Sequence, residues 1–158
     1  MAKFILIRGY ENSGKTATAG LVYCELIKIA QKEHIFNFIQ VNENSIKLND
    51  SNDSFIDFTA IMTINTKQVG IISAGDIPTD LENLINLFLS KSVDIIICCT
   101  RSRNVIGSSY RMIQEKFLPA NEIVKEFWVS YTLIKKEIFT VKEASVMEII
   151  NQINSLTR

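Results

Sequence analysis

Eight consecutive residues near the start of the chain combine residue types and a spacing that suit phosphate binding. They read Gly9-Tyr10-Glu11-Asn12-Ser13-Gly14-Lys15-Thr16. The glycines permit backbone dihedrals that turn successive N–H groups inward, which makes a nest for phosphate oxygens. Apolar residues at helical spacing follow Thr16, and the N-terminus of a helix attracts the same anion. The segment therefore predicts a phosphate-binding loop.

These residues match G-x-x-x-x-G-K-[ST], the Walker A motif, and through them the chain resembles the P-loop NTPase superfamily. The flanks fit, because an apolar run at 3–8 predicts a buried strand and residues 17–30 predict an amphipathic helix. The resemblance implies that all eight residues contact a nucleotide, ATP or another NTP. It also implies that Lys15 holds the β- and γ-phosphates and that the Thr16 hydroxyl joins a Mg²⁺ shell.

Length and composition indicate one ordinary globular domain spanning residues 1–158. Hydrophobic residues make up 47% of the chain and charged residues 22%. Seventeen basic and seventeen acidic residues cancel, which argues against a sequence-blind nucleic-acid binder and a polybasic membrane binder.

No apolar run approaches the ~20 residues of a membrane span. The N-terminus leads straight into the first strand without a signal peptide, so we expect a cytoplasmic protein.

Apolar runs and helical patterns alternate along most of the chain. This order predicts a three-layer α/β/α sandwich with a mostly parallel sheet of five or six strands. Residues 55–73 read as a hairpin that inserts an antiparallel edge strand, with Asn65-Thr66-Lys67-Gln68 as its turn. The predicted strands are 3–8, 34–41, 55–64, 69–73, 93–99 and 126–131, and the predicted helices are 17–30, 80–89, 109–118 and 143–156.

A second chemical signal follows the hairpin, where the apolar run Ile71-Ile72 leads into Ser73-Ala74-Gly75-Asp76. An apolar strand that ends in a small turn and an acid resembles a Walker B or switch II segment. The sequence departs from both patterns, since Ser73 stands where the acid is usual and Asp76 comes three residues later. We expect Asp76 to act at the Mg²⁺ shell or to orient an attacking group. The alternative is an acid at a helix start, because Pro78 and Asp80 follow.

Arginines follow the most apolar strand of the chain. Ligands of open α/β sheets bind outside the carboxyl ends of the strands, and Arg101 and Arg103 emerge there, with Arg111 on the next helix. Arginine binds phosphate bidentately, and lid arginines of nucleotide kinases stabilise the transferring group. We therefore expect Arg101 or Arg103 to act in catalysis, the alternative being solvated surface arginines. The guanine-reading Asn-Lys-x-Asp of small G proteins is missing here, which favours adenine.

Other notable residues are interpreted more plainly. Cys24, Cys98 and Cys99 lack zinc-site spacing and read as small buried hydrophobes. His34 reads as structural or solvent-facing, and the aromatic stretch around Trp128 as core rather than a base-stacking platform. The polar segment 42–53 reads either as a variable surface loop or as an acceptor or switch segment.

Three functions from different classes remain open on the sequence. The leading one is Mg²⁺-dependent, kinase-like phosphoryl transfer from ATP to an unknown small acceptor, with Lys15, Asp76, Arg101 and Arg103 as catalytic residues and Thr16 and Asp76 at the metal. The second is an NTP-hydrolysing switch whose partner reads the polar loop and the Ser-Ala-Gly-Asp turn. The third is a non-catalytic nucleotide-binding module.

Overall fold

The computed structural model describes residues 1–10, 14–36, 57–129 and 135–158, with the side chains of 33–36 and 135–143 outside that description. Strands and helices follow one another in the order that the hydrophobic patterns predict, with β2, β3 and β4 in succession between α1 and α2. The strands are β1 Lys3–Gly9, β2 Lys32–Phe36, β3 Thr59–Ile64, β4 Lys67–Ile72, β5 Ile95–Arg101 and β6 Glu122–Trp128. The helices are α1 Lys15–Leu26, α2 Pro78–Ser90, α3 Ser109–Lys116 and α4 Lys135–Thr157.

The six strands form one sheet in the order β2-β3-β4-β5-β1-β6. Strands β4, β5, β1 and β6 run parallel to one another, while β3 is antiparallel to both β2 and β4. Helices α1 and α4 pack against one face and α2 and α3 against the other, so the three-layer α/β/α fold is confirmed. No helix in the described ranges is both long and apolar enough to cross a membrane.

The apolar side chains of β1 alternate between the two faces of the sheet, which explains why helices cover both faces. Ile5 and Ile7 enter the core beneath α1 and α4, whereas Phe4 and Leu6 enter the core beneath α2 and α3. All four side chains are fully buried, as expected for a parallel strand covered on both sides. This packing holds the carboxyl end of β1, where the phosphate-binding motif begins, rigidly within the sheet.

The prediction that the hairpin strand is an edge strand is wrong. β3 is second from the edge because β2 pairs with it on the outside. The predicted four-residue turn is also wrong, since Lys67 and Gln68 already belong to β4 and only Asn65 and Thr66 form the loop. Both loop residues have positive φ, as in the two-residue turns that suit twisted hairpins.

Several boundaries move by a few residues, because a hydrophobic pattern marks the buried part of an element rather than its ends. The last helix begins well before the predicted residue 143, and β6 begins at Glu122 rather than at 126. The second strand begins at Lys32, and its predicted continuation from 37 to 41 lies outside the described residues, as does the polar segment 42–53.

Candidate functional site

The first part of the candidate site is the junction between β1 and α1. β1 ends at Gly9, and α1 begins at Lys15 after Gly14, whose φ of 94° is left-handed and therefore favours glycine. Gly14 offers no side-chain cap, and the first turn of α1 carries no acidic residue. The first N–H groups of a helix have no intrahelical partner, so this end suits an anion. The predicted contacts of Glu11, Asn12 and Ser13 lie outside the described residues.

Lys15 is held at this junction by the backbone of its own loop. Its side chain is buried, and Nζ donates to the carbonyl oxygens of Gly9 (3.0 Å) and Tyr10 (2.7 Å). The same Nζ lies 3.4 Å from Oδ1 of Asp76. A buried ammonium is costly unless it is bonded, and these two carbonyl oxygens supply its hydrogen-bond partners beside the motif.

Asp76 reaches Lys15 across the end of an intervening strand. β5 lies between β1 and β4, and Arg101 at the end of β5 is paired in register with Gly9. Nε of Arg101 lies 3.3 Å from the same Oδ1 of Asp76 that faces Lys15. The sheet therefore brings together three residues from three separate segments: Lys15, Asp76 and Arg101.

Two features show that Asp76 belongs to this cluster. Helix α2 has Ile77 as its N-cap and Asp80 in its first turn, so Asp76 lies before the helix and Asp80 takes the position of the first-turn acid. Oδ1 of Asp76 is buried and makes no hydrogen bond within the described part of the chain, although two cations are nearby. Buried carboxylate oxygens are normally hydrogen-bonded, so this atom is an exception within the structure.

Gly75 brings the acid-bearing turn onto β5. A Cβ atom at position 75 would overlap the main-chain carbonyl oxygen of Cys99, so no larger residue fits without moving the backbone. This close approach places the next residue, Asp76, over the carboxyl end of β5. The glycine in the Ser-Ala-Gly-Asp turn thus has a packing role.

Sequence analysis missed a second acid, Asp57, at the start of the hairpin. Its Oδ1 accepts a hydrogen bond of 2.9 Å from the hydroxyl of Thr16. Ser73 explains this placement: its hydroxyl accepts from Phe58 N (2.7 Å) and donates to Phe58 O (3.1 Å). The serine that replaces the expected strand-end acid thereby fixes the segment that carries Asp57.

A signal for Asp57 was present in the sequence. A strand that runs antiparallel begins at the edge where its parallel neighbours end. Asp57 lies two residues before the antiparallel strand β3 and near the start of the predicted strand 55–64, so the hairpin pattern was a signal for an acid at the end of the sheet where the motif lies.

Two predicted arginines lie elsewhere. Arg103 is exposed in the loop between β5 and α3 and makes no ion pair with any described residue. Arg111 lies on α3, where its Nε donates to Glu115 at 2.6 Å. The structure thus brings only Arg101 of the three into contact with Asp76.

A buried arginine next to the motif was also missed. Arg8 lies between two aromatic rings, with its guanidinium carbon 3.5 Å from the ring centre of Tyr110 and 4.3 Å from that of Trp128. It donates to the main-chain oxygen of Ser102 (2.6 Å) and to Glu126 (3.2 Å). We call Arg8, Tyr110, Trp128, Glu126 and Ser102 the arginine stack.

The interpretation of Trp128 as a core residue is wrong. Phe127 points into the core beneath α4, but neighbouring residues on a strand face opposite ways, and Trp128 is 56% exposed. Tyr110, on the other side of Arg8, donates a hydrogen bond of 2.7 Å to Glu126. Burial raises the pKa of Tyr110, and this hydrogen bond raises it further. The phenol therefore stays neutral as a donor.

The two adjacent cysteines are buried hydrophobes, as predicted. Cys98 and Cys99 are fully buried on opposite faces of β5. Burial raises the pKa of both thiols, and for Cys99 the nearby carboxylates of Asp57 and Asp76 raise it further against the opposing effect of Lys15. The thiols stay protonated and add no charge beneath the site.

The residues that meet here suit a magnesium–phosphate ligand. Hydroxyl and carboxylate oxygens from Thr16, Asp57 and Asp76 are hard donors, which Mg²⁺ prefers, and it typically uses one or two carboxylates together with waters and phosphates. Within the described residues no three His, Cys, Asp or Glu gather into a dedicated metal cage.

An open depression of about 680 Å³ lies at the opposite edge of the sheet, between the turn at Asn65 and the C-terminus. Asp94 lies at that edge too, directly before β5, where it accepts from Gln68 N at 2.7 Å, so this acid is remote from the motif. Comparison with protein-family models, curated proteins and solved structures finds no match for this chain.

Proposed function

We propose that this protein binds ATP with Mg²⁺ at the 9–16 loop and transfers the γ-phosphoryl group to a small acceptor. The observation that carries the proposal is the meeting of Lys15, Arg101 and Asp76 at the carboxyl ends of β1, β5 and β4. Two cations and one acid in contact match the needs of phosphoryl transfer, in which negative charge must be neutralised and a nucleophile oriented.

The cations act on the transferring group. Lys15 lies where it can bond the β- and γ-phosphate oxygens, exchanging its present carbonyl partners for phosphate. Arg101 adds a planar guanidinium, which can bond two oxygens of the transferring group at once. Both charges act at a partly buried site, where their interaction with phosphate is screened less than in open water.

Asp76 is assigned to the acceptor. A bond forms between an acceptor oxygen and the γ-phosphorus while the bond from that phosphorus to the β–γ bridging oxygen breaks. ADP leaves with the electron pair of the broken bond, and the acceptor proton passes to Asp76 and then to solvent. The unbonded Oδ1 of Asp76 is available for this step once phosphate has engaged the two cations.

Thr16 and Asp57 are the residues that would hold Mg²⁺, which supplies charge neutralisation to the phosphates when bound. The Asp57 carboxylate already accepts a hydrogen bond from the Thr16 hydroxyl, so it orients that hydroxyl oxygen. Its own carboxylate oxygens are further candidate ligands for the metal. Asp76 is a second acid that is available to the metal. The preference for adenine over guanine stays a prediction from the missing motif.

We predict that Asp57→Asn raises the Mg²⁺ concentration needed for tight ATP binding by about tenfold, the typical cost of removing a partner that orients metal ligands. The measurement is calorimetric titration of ATP at a series of Mg²⁺ concentrations. Asp94→Asn, an equal charge change at the opposite edge of the sheet, is the matched control and should keep the wild-type dependence. Equal Mg²⁺ dependence of Asp57→Asn and wild type would assign the metal to another acid.

Product analysis with ATP labelled on its γ-phosphate tests the reaction. A kinase moves the label to an acceptor from a panel of nucleosides, nucleotides and other hydroxyl compounds. Release of labelled phosphate without transfer to any acceptor would favour the NTP-hydrolysing switch. Binding without turnover would favour the non-catalytic module, so the outcomes separate the three functions.

A further inference from the structure

We infer that the exposed face of Trp128 stacks against the base of the bound nucleotide. The inference rests on the proposed function and adds to it a base subsite made by β6, with a purine as its ligand. Trp128 is the only tryptophan of the chain, and more than half of its surface is open at the same sheet edge as the phosphate-binding loop.

The indole ring is fixed before any ligand arrives. One of its faces covers the guanidinium of Arg8, which is stacked on its other side by Tyr110 and bonded to Glu126 and Ser102. A cation–π contact to a largely buried arginine restrains the ring orientation. A ring that is already oriented loses little entropy when a base stacks on it, which is the advantage of preorganisation.

The position of the charges gives the direction in which the nucleotide must lie. The γ-phosphate end belongs with Lys15, Arg101 and Asp76, on the side of β1 that faces β5 and β4. The base is at the other end of the molecule, so it extends toward β6. Trp128 pairs in register with Arg8, one residue before Gly9, and Val129 N donates to Arg8 O at 2.8 Å, which keeps β6 beside the motif.

A second observation points to the same edge. The loop that follows Ser102 exposes two apolar side chains, Val105 and Ile106, the latter almost completely. Ser102 itself bonds Arg8, so this loop leaves directly from the arginine stack. Exposed aliphatic groups in a loop at the same end of the sheet as an aromatic ring suit a flat, largely apolar heterocycle, and purines offer a larger stacking area than pyrimidines.

The test uses the fluorescence of Trp128 in the full-length protein. We expect Mg·ATP to quench the emission, and Mg·tripolyphosphate, which lacks a base, to bind by calorimetry without quenching it. Trp128→Leu should weaken ATP about 5-fold to 150-fold, the range expected for one base–aromatic stack, and leave tripolyphosphate affinity unchanged. Trp128→Phe, which keeps an aromatic face, should recover part of the loss, and Met147→Leu on an exposed part of α4 is the matched control.

Each outcome decides the inference. Binding of ATP without quenching, or equal ATP affinity in wild type and both Trp128 variants, would place the base elsewhere while leaving the proposed function intact. Failure of both ATP and tripolyphosphate to bind the wild type would overturn the proposed function and the inference together. If Trp128→Leu does not fold, as its melting curve would show, the wild-type fluorescence and Trp128→Phe still decide.

Discussion

Replacing Arg101 with lysine is expected to lower turnover by about 10³-fold or more while ATP still binds. Arginines that stabilise the transferring group in P-loop systems contribute roughly 10³–10⁵ in rate. Lysine keeps the positive charge but loses the planar fork that bonds two phosphate oxygens. The location of Arg101 beside Asp76, at the end of the strand next to the motif, makes it the residue that must supply this fork. Single-turnover transfer of labelled phosphate measures the effect.

The chain provides two matched controls for this variant. Arg103→Lys changes an exposed loop residue two positions away, and Arg111→Lys changes a residue that pairs with Glu115 on α3. Both should keep turnover within a few-fold of wild type. Full activity in Arg101→Lys would show that no arginine of this cluster acts on the transferring group, and the switch or binding-module function would then be favoured.

The second large effect is expected for Asp76→Asn, which should lower turnover by about 10²–10⁴-fold, the typical contribution of a positioned general base. Nucleotide affinity should stay the same or increase, because the substitution removes a negative charge beside the γ-phosphate. The carboxylate now faces Lys15 and Arg101, so its removal also takes one ion-pair partner from each cation. The variant should therefore have a lower kcat without any loss of ATP affinity.

Asp80→Asn is the control for Asp76→Asn, since Asp80 is the acid in the first turn of α2. Loss of that acid should cost stability of about 0.3–1 kcal/mol through the helix dipole and leave turnover unchanged. The opposite result for Asp76→Asn, a lowered melting temperature with unchanged turnover, would return Asp76 to the role of a helix-start acid.

The parts of the molecule that were predictable from sequence are those with local signals. The motif around Lys15 specifies its own strand, loop and helix, and the apolar runs locate β1, β5 and the hairpin. Their alternation with helical patterns is sufficient for the three-layer fold. Each of these signals lies within a short window, where hydrophobic period and residue type decide the local structure.

The order of the strands was not predictable in this way, and the site depends on it. β5 lies between β1 and β4, and only that order puts Arg101 between Lys15 and Asp76. Asp57 reaches Thr16 because Ser73 bonds Phe58, a contact across fifteen positions. Such contacts are set by tertiary packing and leave no periodic pattern in the sequence.

Trp128 shows a limit of composition arguments. An aromatic-rich run with Phe127 and Trp128 resembles core because large apolar residues are usually buried. On an edge strand, however, alternate residues face different environments, and β6 is the edge next to β1. The buried cation of Arg8 contacts the ring, and Trp128 nevertheless remains 56% exposed.

The most direct test of the account is the affinity of Lys15→Ala for Mg·ATP, measured by calorimetry. Loss of the buried ammonium leaves phosphate charge unpaired, and a charged hydrogen bond is typically worth about 1.5–3 kcal/mol, so the affinity should fall at least tenfold. Lys28→Ala, at an exposed lysine near the far end of α1, should bind as wild type does. If Lys15→Ala binds Mg·ATP as tightly as the wild type, the 9–16 loop is not a phosphate site and the proposed function is wrong.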